Sequence, residues 1–312
     1  MHTRQILASI LLSTIAAVGV PAVASAAYPG ANGAIALARN GRIWVVQPDG
    51  AQANLARGYD PAWSPDGTRI AYVRERHSGG RHNGLETIWI MQADGSGKTR
   101  VTSKHRFSTS PSWSPDGTQL VFASNSGTAG FELYTIGVEG VPAEVPVRLT
   151  ASPGWEGHPT WSPDGTRIAF EVFSNFGPTT GIFRIGVMAA DGGDYTLLTP
   201  ATRAFDLHPD WSPDSASLVF DSNRHKPGEA DYDVYTMAAD GGRVTRVTTA
   251  PGSARNAFPV WSPDGTKILY VHESRRGATT VQKSALDGAP VERVCRTDRL
   301  FFLTSPSWQP LP

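Results

Sequence analysis

The chain has 312 residues, 28 basic and 28 acidic, and no formal net charge. That balance lacks the basic surplus by which a protein binds nucleic acid or is drawn to an anionic membrane, and neither is expected as a partner. Glycine (32) and proline (24) are spread along the whole length, the composition of many short strands joined by turns and not of a disordered tail.

In chain order, the first segment reads as a leader. His2 and Arg4 give a positive start, Ile6 to Val23 form an apolar run broken by Gly19 and Pro21, and Ala24-Ser25-Ala26 supplies small residues for cleavage before Ala27. The uninterrupted apolar core is short for a membrane span. Residues 1–26 are therefore expected to be a signal peptide and 27–312 the mature domain, exported to the periplasm or outside the cell. No later segment is apolar enough to span a membrane. The mature protein is expected to be monomeric. The single cysteine, Cys295, cannot form an internal disulfide and is expected to be a small buried apolar residue.

A repeat dominates the remainder. Trp-Ser-Pro-Asp-Gly begins at Trp63, Trp113, Trp161 and Trp261; Trp211 begins a variant ending in Ser215, and Trp308 begins a truncated Trp-Gln-Pro copy. Successive tryptophans lie 50, 48, 50, 50 and 47 residues apart, a period that accommodates one four-stranded propeller blade. In each repeat a short strand ends at the Trp. In the turn that follows, Pro pre-sets φ, Asp bonds nearby amides and Gly accepts a positive φ. An alternating strand such as Thr166 to Phe170 comes next, then a variable loop. A third strand such as Asp233 to Met237 closes on Asp240-Gly241-Gly242, and a fourth runs from Arg243 to Thr248. No stretch has helical periodicity. Ser215, where the other copies carry Gly, predicts a turn that is less stable or differently shaped.

The two ends complement each other. Ile35 to Leu37, Ile43 to Gln47 and Asn54 to Ala56 read as strands two to four of a blade, with Asn40-Gly41 as a two-residue hairpin turn. Ser305 to Gln309 reads as a lone first strand. The expected fold is thus all-β: a six-bladed β-propeller closed by pairing of its N- and C-terminal strands.

Trp-Ser-Pro-Asp-Gly followed by an apolar strand, Ser222-Asn223-Arg224, and a strand closing on Asp-Gly resemble the WD-like repeats of TolB-type propellers across essentially the whole mature chain. That resemblance implies the propeller fold and a protein-binding role in the cell envelope. TolB proper binds a peptidoglycan-associated lipoprotein and carries an additional N-terminal α/β domain, which is not recognisable here, so the partner is not carried over.

Function must sit where the repeats differ. Variable loops at Arg74 to Thr87, Phe173 to Gly181, Asp221 to Asp231 and His272 to Thr279 fall on one end of the blades, where recognition is usually placed. The resemblance also puts first strands along the central channel. There Glu156 with His158, and Asp206 with His208, beside Asn256, form a candidate ligand-binding group, each pair read as sharing one strand face two residues apart. Imidazoles and carboxylates together suit a transition metal or acid–base chemistry. The loop bearing Arg74, Arg76, His77, Arg81 and His82 reads as solvated, and the spacing of Glu229, Asp231 and Asp233 matches no calcium loop.

The expected function is a binding scaffold for a protein or cell-envelope component, not an enzyme, with no cofactor. One alternative is a metal-dependent, lyase-like propeller using the channel group. The other is a glycan- or peptidoglycan-binding propeller using exposed aromatics such as Trp155, Phe173 and Phe176. A peptidase is disfavoured because no G-x-S-x-G elbow is present.

Overall fold

The computed structural model describes residues 29–312 except 79–80, 104–106, 126–129, 140–144, 153, 176–180, 228, 250–253, 287–291 and 298–305. The expected signal peptide lies outside the described residues, as do Phe176, Leu303 and Ser305. Among the described residues no helix is long and apolar enough to cross a membrane.

Every regular element among the described residues is a strand. The chain enters with β1 (Ala31–Arg39), β2 (Arg42–Val46) and β3 (Gln52–Arg57). Blade one is β4 (Tyr59–Trp63), β5 (Arg69–Ser78), β6 (Arg81–Gln92) and β7 (Thr99–Arg100). Blade two follows as β8 (Ser108–Trp113), β9 (Gln119–Ser124), β10 (Glu132–Gly137) and β11 (Val147–Arg148). Blade three is β12 (Trp155–Trp161), β13 (Arg167–Asn175), β14 (Gly181–Ala189) and β15 (Thr196–Leu197). Blade four is β16 (Asp206–Trp211), β17 (Ser217–Ser222), β18 (Asp233–Ala238) and β19 (Thr245–Arg246). Blade five is β20 (Arg255–Trp261), β21 (Lys267–Glu273), β22 (Thr279–Ala285) and β23 (Glu292–Thr297). The last strand, β24 (Ser307–Leu311), pairs with β1, giving the sixth sheet the order β24-β1-β2-β3.

The ring closes as the ends of the sequence imply. Trp308 faces Ile35 across the β24–β1 pair, and its indole Nε1–H donates to Gly33 O (3.2 Å). Gln309, where the repeat has Ser, accepts from Ala34 N–H (3.0 Å) and donates to Gly67 O in blade one (2.8 Å). The Asn40-Gly41 turn has φ of 52° and 67°, positive at both central residues as a type I′ hairpin requires.

Cohesion comes from apolar layers between neighbouring blades. Val73 and Ile88 of blade one pack with Trp113 and Phe122 of blade two, and Leu37 of the closing blade with Leu269, Cys295 and Trp308. Trp63, Trp113 and Trp211 are wholly buried. Cys295 is buried as expected, and burial pushes its thiol pKa up. Polar contacts stitch the same seams: Trp113 Nε1–H donates to Ala62 O of the preceding blade, and Arg69 lies over the Trp113 ring while donating to Gly117 O.

Two expected loops prove to be strand. β5 and β6 pair to Ser78↔Arg81, so the basic segment after Arg74 is a projecting hairpin. Likewise β13 and β14 pair to Asn175↔Gly181. In β13–β14 the extension is rich in β-branched and aromatic residues, with Val172, Phe173, Ile182 and Phe183, which favour continued cross-strand pairing.

Candidate functional site

The inner strands β4, β8, β12, β16, β20 and β24 surround a central cavity of about 140 Å³, lined on one side by Asp60, Ser110, His158 and His208. Each of the first five inner strands carries the same irregularity. Register with the next strand shifts between Tyr59 and Ala62, Thr109 and Ser112, Gly157 and Thr160, Leu207 and Asp210, and Ala257 and Val260. Within each bulge one residue has positive φ: Asp60 (48°), Ser110 (52°), His158 (43°), His208 (50°) and Phe258 (55°). Proline follows every one of them. Proline cannot donate to the ladder, so pairing breaks there and the preceding side chain turns out of the pleat.

The bulge separates residues that strict alternation would have placed on one face. His158 and His208 meet at the channel, ring centroids 4.6 Å apart in an edge-on contact, with Phe258 4.0 Å from His208. Glu156, Asp206 and Asn256 turn away from them and are buried. Glu156 accepts from the hydroxyls of Ser152 and Thr150, and burial beside Glu132 raises its pKa. Asp206 accepts from Ser222 Oγ (2.6 Å) and Arg224 Nη2 (2.8 Å). Asn256 Nδ2 donates to Asp233 Oδ1 (2.9 Å), and its Oδ1 accepts from His272 Nδ1 (2.8 Å). The expected five-residue group is therefore two histidines at the channel and three residues in separate buried networks.

What joins the histidines are acids from the second strands. Glu171 of β13 lies with Oε2 3.1 Å from His158 Nδ1 and Oε1 3.7 Å from His208 Nε2, and it accepts from the His208 backbone N–H (2.6 Å). Asp221 of β17 places Oδ1 2.7 Å from His208 Nδ1 and accepts there from Phe258 N–H (3.1 Å). Both acids are buried; His158 keeps 33 % of its side chain exposed and His208 10 %. The pairing outweighs desolvation. Burial pulls His158 down, yet the charge and contact of Glu171, with Asp60 and Asp221 behind it, raise its pKa to about 9. Burial pushes Glu171 up, yet the charges of His158 and His208 lower it to about 2. Deeper in the channel, burial pushes Asp210 up to about 7, although Trp261 N–H and the Thr160 hydroxyl both donate to it.

The signal for Glu171 and Asp221 was in the repeat. Ten residues after its Trp, a blade carries Val73, Ala123 or Val271; only after Trp161 and Trp211, in the two blades that bear the histidines, does that position hold an acid. The alignment of second strands, read for exceptions, finds both.

A second His/acid group lies between the second and third strands of blade four. His225 Nε2 is 3.4 Å from Asp231 Oδ1 and 3.7 Å from Asp233 Oδ2. Lys226 bonds Asp231 (2.7 Å) and Arg246 bonds Asp233, so these carboxylates already have cationic partners. On the variable end a row of rings runs from Phe131 through Trp155 and Phe173 to Phe183 and Phe205, centroids 4.8 to 6.5 Å apart. Trp155 is 52 % exposed.

Known proteins repeat this architecture. TolB from Acinetobacter baumannii superposes with a TM-score of 0.69 over 89% of this chain and 67% of its own, at 22% identity. A chain of the nidogen/laminin complex superposes at 0.65 over 88% of this chain and 98% of its own, at 9% identity. At such identities the likeness is one of fold. An uncharacterized Agrobacterium fabrum protein is 40% identical over 63 residues, a match spanning only 20% of either chain. The profile of the PD40 family, described as the TolB beta propeller domain, matches residues 135–311. That stretch begins in β10, runs through three complete blades to the closing strand, and takes in more than half of the sequence, so the chain belongs to the TolB beta propeller domain family.

Proposed function

We propose that this protein is an exported binding scaffold whose variable rim docks a protein of the cell envelope, and that it is not itself an enzyme. The observation that carries this reading is the asymmetry between the two ends of the ring. At one end the Ser-Pro-Asp turns are near copies, each closed by the same bond, as from Gly67 N–H to Ser64 O and Ser215 N–H to Ser212 O. At the other end the hairpins differ in reach: β5–β6 extends to Ser78, β13–β14 to Asn175, and β17 stops at Ser222. Exposed Trp155 stands beside them. A rigid ring with one uniform end and one irregular, partly aromatic rim has the form of a recognition surface. Family membership supports the same reading, as does the use of this fold in a complex between nidogen and laminin.

The test is affinity capture from envelope extract on the purified propeller, beside a rim variant combining W155A with a shortened β5–β6 hairpin. A protein retained by the wild type and lost by the variant is the expected result. Retention of a glycan alone, or capture indifferent to the rim, would overturn it.

A further inference from the structure

We propose that His158, His208 and Glu171 form a site for a first-row divalent transition-metal ion in the channel, with Asp221 as the group that orients His208. This inference does not rest on the protein-docking reading.

The donors are already gathered. One ligand atom each from His158, His208 and Glu171 lie within 4.8 Å of one another; His158 Nδ1 is 3.1 Å from Glu171 Oε2, and His208 Nε2 is 3.7 Å from Oε1. An ion bound at ~2.0–2.2 Å holds neighbouring donors roughly 3–3.5 Å apart, so small side-chain rotations complete the set. Asp221 Oδ1 accepts a hydrogen bond from His208 Nδ1–H at 2.7 Å. That assignment leaves the lone pair on Nε2, the atom nearest Glu171. A carboxylate behind a histidine is the arrangement that holds metal-binding imidazoles elsewhere.

Two buried atoms of the group make no well-formed hydrogen bond among the described residues: His158 Nδ1, whose one close contact here is the 3.1 Å ion pair with Glu171 Oε2, and Asp221 Oδ2. The first points at Glu171, where an ion would answer it. Charge favours a cation as well. Glu171 and Asp221 receive no lysine or arginine among the described residues, in contrast to the His225 group, whose acids are answered by Lys226 and Arg246. Backbone geometry fixes the two histidines in advance, each in a bulge and each held by a following proline. Two imidazoles and one carboxylate suit zinc, cobalt, manganese or iron, not calcium or magnesium, which take oxygen donors. The exposed edge of His158 faces the cavity, so further coordination positions would open towards it.

The experiment is equilibrium dialysis of the chelator-stripped full chain against Zn²⁺, Co²⁺ and Mn²⁺ in turn, with metal content measured and Co²⁺ ligand-field absorption recorded. One equivalent is expected, abolished by H158A and by H208A. D221N should keep the stoichiometry but bind about 10–100-fold more weakly, and H225A should bind like wild type. Absence of a bound equivalent, retention in the H158A/H208A double variant, or equal loss in H225A would overturn the proposal. Circular dichroism establishes that each variant is folded. Should the double variant fail to fold, Co²⁺ added to the wild type decides: two paramagnetically shifted histidine rings support the site, and unshifted rings refute it.

Discussion

Ser215 takes a backbone conformation that its counterparts leave to glycine. Its φ of 58° lies beside 66° at Gly67, 68° at Gly117, 74° at Gly165 and 69° at Gly265, and the turn closes with the same 2.9 Å bond. The sequence argued for a weaker or reshaped turn; the shape is unchanged because the hydroxyl contributes a contact glycine cannot make. Ser215 Oγ accepts from Asp164 N–H of blade three (3.0 Å). A non-glycine left-handed residue costs about 1 kcal/mol, and one hydrogen bond returns about 1 kcal/mol. Ser215→Gly should therefore leave the melting temperature nearly unchanged. Ser215→Ala keeps the strain and loses the bond, and should melt about 2 °C lower. Equal melting of the two variants would show that the position carries no strain. The neighbouring turn aspartates make stability depend on acid. Partial burial raises Asp66, Asp116, Asp164 and Asp264, but a Ser hydroxyl and a Thr amide donating to each carboxylate outweigh it and lower the pKa; at Asp214 the Ser212 hydroxyl leads the lowering. A depressed folded-state pKa stabilises the fold above the unfolded value of about 4 and is lost as pH falls through the folded one. D116N should accordingly be less stable than wild type at pH 7 and draw level at pH about 2, measured by urea denaturation at both. A difference that persists undiminished in acid would assign it to shape and not to charge.

At the scale of the element, the inner strand shows what periodicity misses. Five strands ending in Trp and a sixth carrying Trp308 were legible from the repeat, and so were the five turns, because both are set by local chemistry. The side-chain direction of His158 was not, because alternation assumes an unbroken ladder. Asp-Pro, Ser-Pro, His-Pro, His-Pro and Phe-Pro before successive tryptophans were the sign of a break, since proline inside a paired strand marks a bulge. Glu171 and Asp221 were legible only as departures from Val73, Ala123 and Val271, and their link to the histidines is a contact between strands that no single strand encodes. Their burial makes the group energetically coupled. With chelator present, E171V alone strands two imidazoles and should destabilise the fold by about 3 kcal/mol. Combining it with H158S and H208S, which brings both inner strands closer to the Ser110 pattern, should recover most of that loss. Chemical denaturation of the single and triple variants measures the coupling, and strict additivity would show that the three residues do not act together.

The whole molecule depends on its two ends meeting, and that dependence was the most legible feature of the sequence: three strands lacking a first, and a first strand lacking three. The structure adds how the join is made. β24 gives β1 its hydrogen-bonding partner, Trp308 fills the layer with Leu37 and Leu269, and Gln309 reaches both Ala34 and Gly67. Deleting the residues after Leu303 removes all of these at once and leaves β1 as an unpaired edge, a template for association with other chains. Loss of a buried Trp alone costs on the order of 3–5 kcal/mol, against a typical total of about 5–15 kcal/mol. The truncated chain should therefore melt about 10 °C lower or more, and its scattering should rise with concentration. Trp308→Ala in the full chain separates the two contributions, because it opens the layer while keeping the β24–β1 ladder. It should fall between wild type and truncation in melting temperature and scatter as the wild type does at every concentration. If the truncated chain melts with the intact one, the ring is not held shut by its ends, and the seam between blade five and β1 must be stable without them.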